Sequence, residues 1–203
     1  MGIPQSRYAF PGRPLSYNRF VEEFHKPTGY WPEIAVTCDI IVLARRDDSP
    51  ARKSEPLAES AACGQGAATN PDALSATSLA SYFDVLLVKR KYPPFEGCYA
   101  LPGGGVELEE DLDDAARREL LEETGIVAGD LAQFRTFGRP GRDPRCRVVS
   151  VVYWTIIDRA KHTPTAGSDA DETAWFPLAA LPPLAFDHAH VLKEATERLF
   201  GGG

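Results

Sequence analysis

The stretch Leu101–Ile126, LPGGGVELEEDLDDAARRELLEETGI, constrains this chain more than any other. It reads as a glycine-rich turn feeding one helix. Asp111 can cap that helix, Asp113 and Asp114 stand in its first turn where the macrodipole favours negative charge, and Gly125 follows Thr124 as a stop. The spacing predicts a helix over 112–124, with Leu112, Ala116, Leu120 and the neighbouring Leu121 as its buried stripe. Glu119, Glu122 and Glu123 fall at i, i+3 and i+4 and share one face. Three like charges on one face repel each other and weaken an isolated helix. A divalent cation reverses the sign of that effect, because hard cations such as Mg²⁺ take carboxylate oxygens and keep several waters. Arg118 stands beside the cluster and can pair with a carboxylate and hold its orientation. Glu110 lies just before the helix, and Gly103–Gly105 allow close backbone approach to a ligand. The competing reading is a solvated acidic face with an Arg118–Glu122 pair.

The rest of the chain frames this segment. The run IAVTCDIIVLA over 34–44 is nearly continuous in apolar, β-branched residues and reads as a strand covered on both faces. Further strands are expected over 83–90, 99–101, within 127–137, over 148–157 and over 173–177, with a sharp turn at 102–105 and an amphipathic helix over 187–200. Residues 1–32 form an aromatic, Pro-rich arm that needs another surface to bury its rings, which suggests a homodimer. Residues 45–81 are poor in large apolar side chains and read as a low-complexity insertion. The organisation expected is therefore an arm over 1–32 and one domain over 33–200, interrupted at about 45–81.

With 203 residues the chain holds one good core. Its net charge of −7 (22 basic against 29 acidic residues) lacks the footprint of a nucleic-acid binder and suits an anionic membrane surface poorly. No apolar stretch approaches the roughly 20 residues of a membrane span, and the N-terminus shows no signal-peptide pattern. Cys38, Cys63, Cys98 and Cys146 are widely spaced and read as reduced thiols of a cytoplasmic protein rather than a zinc site or a disulfide framework.

Gly104, Glu110, Arg118, Glu119, Leu120, Glu122, Glu123, Gly125 and Ile126 match, position for position, the pattern G-x5-E-x7-R-E-U-x-E-E-x-G-U, with U apolar. A chance match in a chain of this length is on the order of one in a million. On these residues the chain resembles the Nudix hydrolase family. The resemblance implies an α/β/α sandwich with a mixed sheet and the box as a loop–helix–loop. It implies Mg²⁺-dependent hydrolysis, Mn²⁺ being an alternative, of a nucleoside diphosphate linked to another group. Glu119, Glu122 and Glu123, with the Gly103 carbonyl, would hold the metal, and Arg118 and Glu110 would orient them. The base would be a box glutamate or one of Asp169, Asp171 and Glu172, read as lying in a polar loop.

The segment FGRPGRDPRCR, residues 137–147, places Arg139, Arg142, Arg145 and Arg147 in one turn of an acidic protein. Guanidinium forks suit phosphate oxygens. Together with LAFDH at 184–188 the segment is similar to the ADP-ribose pyrophosphatase branch, although Cys146 stands where a small residue is expected. Arg139, Arg142, Arg145, Lys89, Arg90 and Gly104 are the expected substrate contacts. His188 and His190 read as a helix start. Other nucleotides remain alternatives: oxidised triphosphates, NADH or sugar nucleotides. That branch also contains ligand-sensing transcriptional regulators with a C-terminal winged helix. The retained box glutamates, the acidic charge and the chain's end near where such a domain would begin favour the enzyme.

Overall fold

The computed structural model describes residues 34–46, 80–167 and 170–201. The arm over 1–32, all but the ends of the insertion at 45–81, Asp169 and Cys63 lie outside the described residues. In chain order the elements are β1 (Ile34–Arg45), β2 (Phe83–Arg90), β3 (Tyr99–Ala100), β4 (Gly103–Gly105), α1 (Leu112–Thr124), β5 (Ala132–Phe137), β6 (Arg147–Ile157), a 3₁₀ turn (Arg159–Lys161), β7 (Ala170–Pro177) and α2 (His188–Phe200).

β1 and β6 pair in parallel along their whole length, from Ile34 opposite Arg147 to Ala44 opposite Ile157. Both runs are apolar because a helix covers each face of the sheet. Cys38, Ile40 and Val42 of β1 pack with Ala116 and Leu120 of α1. The alternate residues Ile41 and Leu43 pack with Val191, Leu192 and Ala195 of α2. The result is the expected α/β/α sandwich around a mixed sheet, with β5 antiparallel on the far side of β6.

The other edge of β1 is divided between two strands. β2 pairs with it only at Leu43–Arg45 and then runs on to pair with β3 and β7. The peptide groups of Thr37–Asp39 are left for Gly103–Gly105, which pair antiparallel as β4. The glycines expected as a sharp turn are thus a strand, since buried edge groups must find partners. Only glycine fits there: Gly103 has φ +153°, and a Cβ on it would lie 2.2 Å from the Cys38 carbonyl oxygen.

Helix α1 has its expected bounds. Asp111 Oδ1 accepts the Leu112 N–H at 2.6 Å, and Gly125 ends the helix in the left-handed region with its N–H on the Leu121 carbonyl. The stripe differs by one member. Leu121 is 49% exposed and Ala115 is buried in its stead, because one residue's 100° turn carries Leu121 off the face of Leu120. β7 also begins earlier than expected. Its ladder with β2 continues to Arg90 across a bulge, so Asp171 and Glu172 are strand residues rather than loop residues. Among the described residues no helix is long and apolar enough to cross a membrane, and Cys38, Cys98 and Cys146 are free thiols.

A Cβ at Gly125 would carry the cost of φ +68° and sit 2.5 Å from Thr165 Oγ1. The Gly125→Ala variant is expected to lose about 1–2 kcal/mol of unfolding free energy, read as a lower urea midpoint at unchanged slope.

Candidate active site

Three of the box carboxylates converge on one guanidinium. Arg118 grips Glu110 with a fork, Nη2 to Oε1 at 2.6 Å and Nε to Oε2 at 3.0 Å. Its Nη1 donates to Glu119 Oε1 at 2.7 Å and to Glu122 Oε2 at 3.4 Å, and Nη2 also reaches the Gly105 carbonyl at 3.0 Å. The Glu110 carboxylate is further fixed by the Glu107 N–H at 2.7 Å. Burial opposes its charge, but the Arg118 and Glu107 hydrogen bonds outweigh that and hold the carboxyl below its usual range. Arg118 thus pairs with carboxylates on either side of it, the contact its place beside them suggested.

Glu119 is fully buried, and its Oε2 has no hydrogen-bond partner among the described residues. Burial raises its carboxyl to about 7, despite the opposing pull of Arg118. Gly104 makes room for it: a Cβ there would lie 2.4 Å from Glu119 Oε1. Glu123 is buried and accepts the Gly103 N–H at 2.9 Å, while Glu122 is exposed. Among the described residues no three acidic, His or Cys side chains are gathered into a ready coordination shell. The donor set nevertheless fits a hard divalent cation. It offers carboxylate oxygens on one helix face, one of them buried and unpartnered, beside a side-chainless strand.

An open cleft of about 480 Å³ lies against this strand, with Glu123, Gly103 and Gly104 on one side. Lys89, Arg90, Arg142 and Arg145 also line it; Arg139 is exposed and does not. The guanidinium groups reach the cleft as paired cations rather than free forks. Arg142 is buried and grips Asp187 through Nη2–Oδ1 at 2.7 Å and Nε–Oδ2 at 3.0 Å. Arg145 grips Asp143 in the same way, at 2.6 and 2.9 Å. Arg90 donates to the Pro94 carbonyl at 2.8 Å, and both Arg90 and Arg145 lie over the Phe186 ring. Lys89 is the loosest, 3.8 Å from Glu172 and 37% exposed.

Two cleft residues take parts that were not read from the sequence. Asp39 is buried, accepts from Ser150 Oγ, and lies 3.7 Å from Arg142 and 3.8 Å from His188. A lone carboxylate inside the apolar run of β1 was its signal. His188, read only as a helix start, is buried. Its Nδ1 accepts the Leu101 N–H at 2.9 Å, and burial lowers its pKa, consistent with a neutral ring.

The sequence pattern of the NUDIX domain matches residues 74–198. The chain is 44% identical over 110 residues to an ADP-ribose pyrophosphatase of Methanocaldococcus jannaschii, covering 54% of this chain and 64% of that protein. It is 39% identical over 118 residues to the ADPR responsive transcriptional repressor NtrR of Acinetobacter baylyi, covering 57% and 47%. It therefore spans under two thirds of either relative. The NUDIX domain of Shewanella oneidensis NrtR, solved with ADP ribose, superposes with a TM-score of 0.62 over 91% of this chain and 99% of that one, at 24% identity, a likeness of fold. A MutT/nudix family protein of Enterococcus faecalis gives 0.61 at 27% identity, over 91% and 69%.

Glu119 folded binds its proton more tightly than an ordinary carboxyl, so its contribution to stability is complete at low pH. That contribution falls as pH rises from about 4.5 to about 7. In chelator, the melting temperature of the unaltered protein is expected to drop across that window relative to Glu119→Gln. Parallel melting curves for the two would contradict the assignment.

Proposed function

Because the chain belongs to the Nudix hydrolase family, we propose that it hydrolyses a nucleoside diphosphate linked to another group, with ADP-ribose and water giving AMP and ribose 5-phosphate. The observation that carries this reading is one helix face on which Glu119 and Glu122 pair with Arg118 and Glu123 reaches the rim of a cleft also lined by Lys89, Arg142 and Arg145. The relative that is 44% identical, an ADP-ribose pyrophosphatase, supports the choice of substrate.

Glu119, Glu122 and Glu123, with the Gly103 carbonyl, are the residues that would hold Mg²⁺, or Mn²⁺ in its place. When bound, the ion supplies positive charge against the diphosphate's repulsion of an attacking water. Arg118 and Glu110 fix Glu119 in place. Lys89, and Arg142 and Arg145 held by their acidic partners, put N–H donors along the cleft that suit phosphate oxygens. The water's oxygen bonds to phosphorus, the bridging P–O bond breaks, and the water's proton goes to a carboxylate. Glu172 is engaged by Tyr99 Oη at 3.2 Å and by Lys89, which favours a box glutamate or Asp171 over it as the base. The same reading takes the protein as cytoplasmic and as a homodimer, which a monomer mass by light scattering would remove.

A second reading is a nucleotide-responsive regulator, favoured by the 39% identical repressor. The two separate on one assay. With ADP-ribose and Mg²⁺, chromatography is expected to show AMP and ribose 5-phosphate, lost on adding chelator. Binding of ADP-ribose without turnover would favour the regulator.

Glu122→Gln and Glu123→Gln are each expected to abolish turnover and leave the melting temperature in chelator unlowered, since each removes a repelling charge from the helix. Unchanged turnover in both would refute the metal-site reading.

A further inference from the structure

The backbone of Leu101–Gly105 is anchored from several elements. The Pro102 carbonyl accepts the Ile40 N–H of β1 at 2.8 Å. The Gly103 N–H goes to Glu123 and the Gly105 carbonyl to Arg118, both on α1. The remaining anchor comes from the opposite layer, where the Leu101 N–H donates to Nδ1 of His188 at 2.9 Å. His188 is the first residue of α2, and it is 4% exposed.

The anchoring extends to the neighbouring residue. The Asp187 side chain makes no capping hydrogen bond to α2, and its carboxylate grips Arg142 of the arginine segment instead. Consecutive residues at the start of α2 thus hold the two sides of the cleft, Asp187 the arginine segment and His188 the glycine strand. Asp39 lies between them, 3.7 Å from Arg142 and 3.8 Å from His188 Nε2, and it stands opposite Gly103 in the β1–β4 ladder.

We propose that His188 is a positioning residue for the cation site, holding the Leu101–Gly105 backbone in register so that the Gly103 carbonyl and Glu123 face a common ion. The proposal rests on the metal reading given above. A structural histidine that only fills the core would be replaceable by any side chain of similar size. A positioning histidine requires a hydrogen-bond acceptor at the place of Nδ1. Asparagine sets its amide oxygen near that place, whereas the longer glutamine sets it near Nε2, so the two variants separate the roles.

The test measures Mn²⁺ binding to the full chain by titration calorimetry, with no substrate present. His188→Gln is expected to raise the Mn²⁺ dissociation constant about tenfold, the scale of one lost hydrogen bond to a buried N–H. His188→Asn is expected to stay within about twofold to threefold of the unaltered protein, and kcat/KM at limiting Mg²⁺ is expected to follow the same order. Equal Mn²⁺ affinity in the unaltered and His188→Gln proteins would overturn the proposal and leave the metal reading intact, as would equal losses in Gln and Asn. No Mn²⁺ binding by the unaltered protein would overturn both. A second measurement needs no variant: adding Mg²⁺ to ¹⁵N-labelled protein is expected to shift the Leu101 amide and the His188 ring nitrogen resonances together. Invariance of both during saturation would overturn the proposal even if His188→Gln fails to fold.

Discussion

A carboxylate buried at Glu119 is the constraint on which the surrounding structure turns. Removing such a charge from water costs several kcal/mol unless other groups replace the lost hydration. Arg118 replaces part of it, and Arg118 must then be held by Glu110 and the Gly105 carbonyl. The helix can press Glu119 against β4 only because Gly104 has no side chain. β4 can occupy its place only because β2 leaves β1 after Leu43 and turns its ladder toward β7 and β3. Sheet topology, the glycine strand and the ion cluster are therefore one arrangement. A larger residue at Gly104 would strike the carboxylate, and a β2 that followed β1 further would leave β4 no edge to join.

The cleft follows a different logic. Most of its charges are matched within the protein: Arg142 with Asp187 and Asp39, and Arg145 with Asp143. Buried pairs of this kind add little net stability over apolar packing, but breaking one partner is costly. Their effect here is to fix the walls before a ligand arrives, so that less side-chain ordering is charged against binding.

Much of this was legible in the residues. The capping aspartate, the stop glycine and the helical spacing of α1 are local chemistry, and they appear as read. So do the buried strands β1 and β6, whose apolar runs need cover on both faces. What escaped the sequence depends on distant partners. Three glycines read as a turn, because nothing local shows that Thr37–Asp39 would offer them an edge. Leu121 reads as core until the angle between α1 and the sheet is known. Asp171 and Glu172 look like loop acids, since their ladder is supplied by β2, some eighty residues earlier. Arg142 looks free because its partners, Asp39 and Asp187, lie in β1 and at the foot of α2. Asp39 was the readable exception, a charged residue in a strand with no water on either face.

The parts that shape the cleft and those that would do chemistry stand on opposite layers. Asp187, His188 and Phe186 belong to the approach to α2, whereas Glu119, Glu122 and Glu123 belong to α1. They meet only across β4, where the absence of side chains lets Glu123 reach the Gly103 N–H at the cleft's edge. A fold divided in this way can keep its binding walls while its helix carboxylates change, or lose its carboxylates while the walls remain.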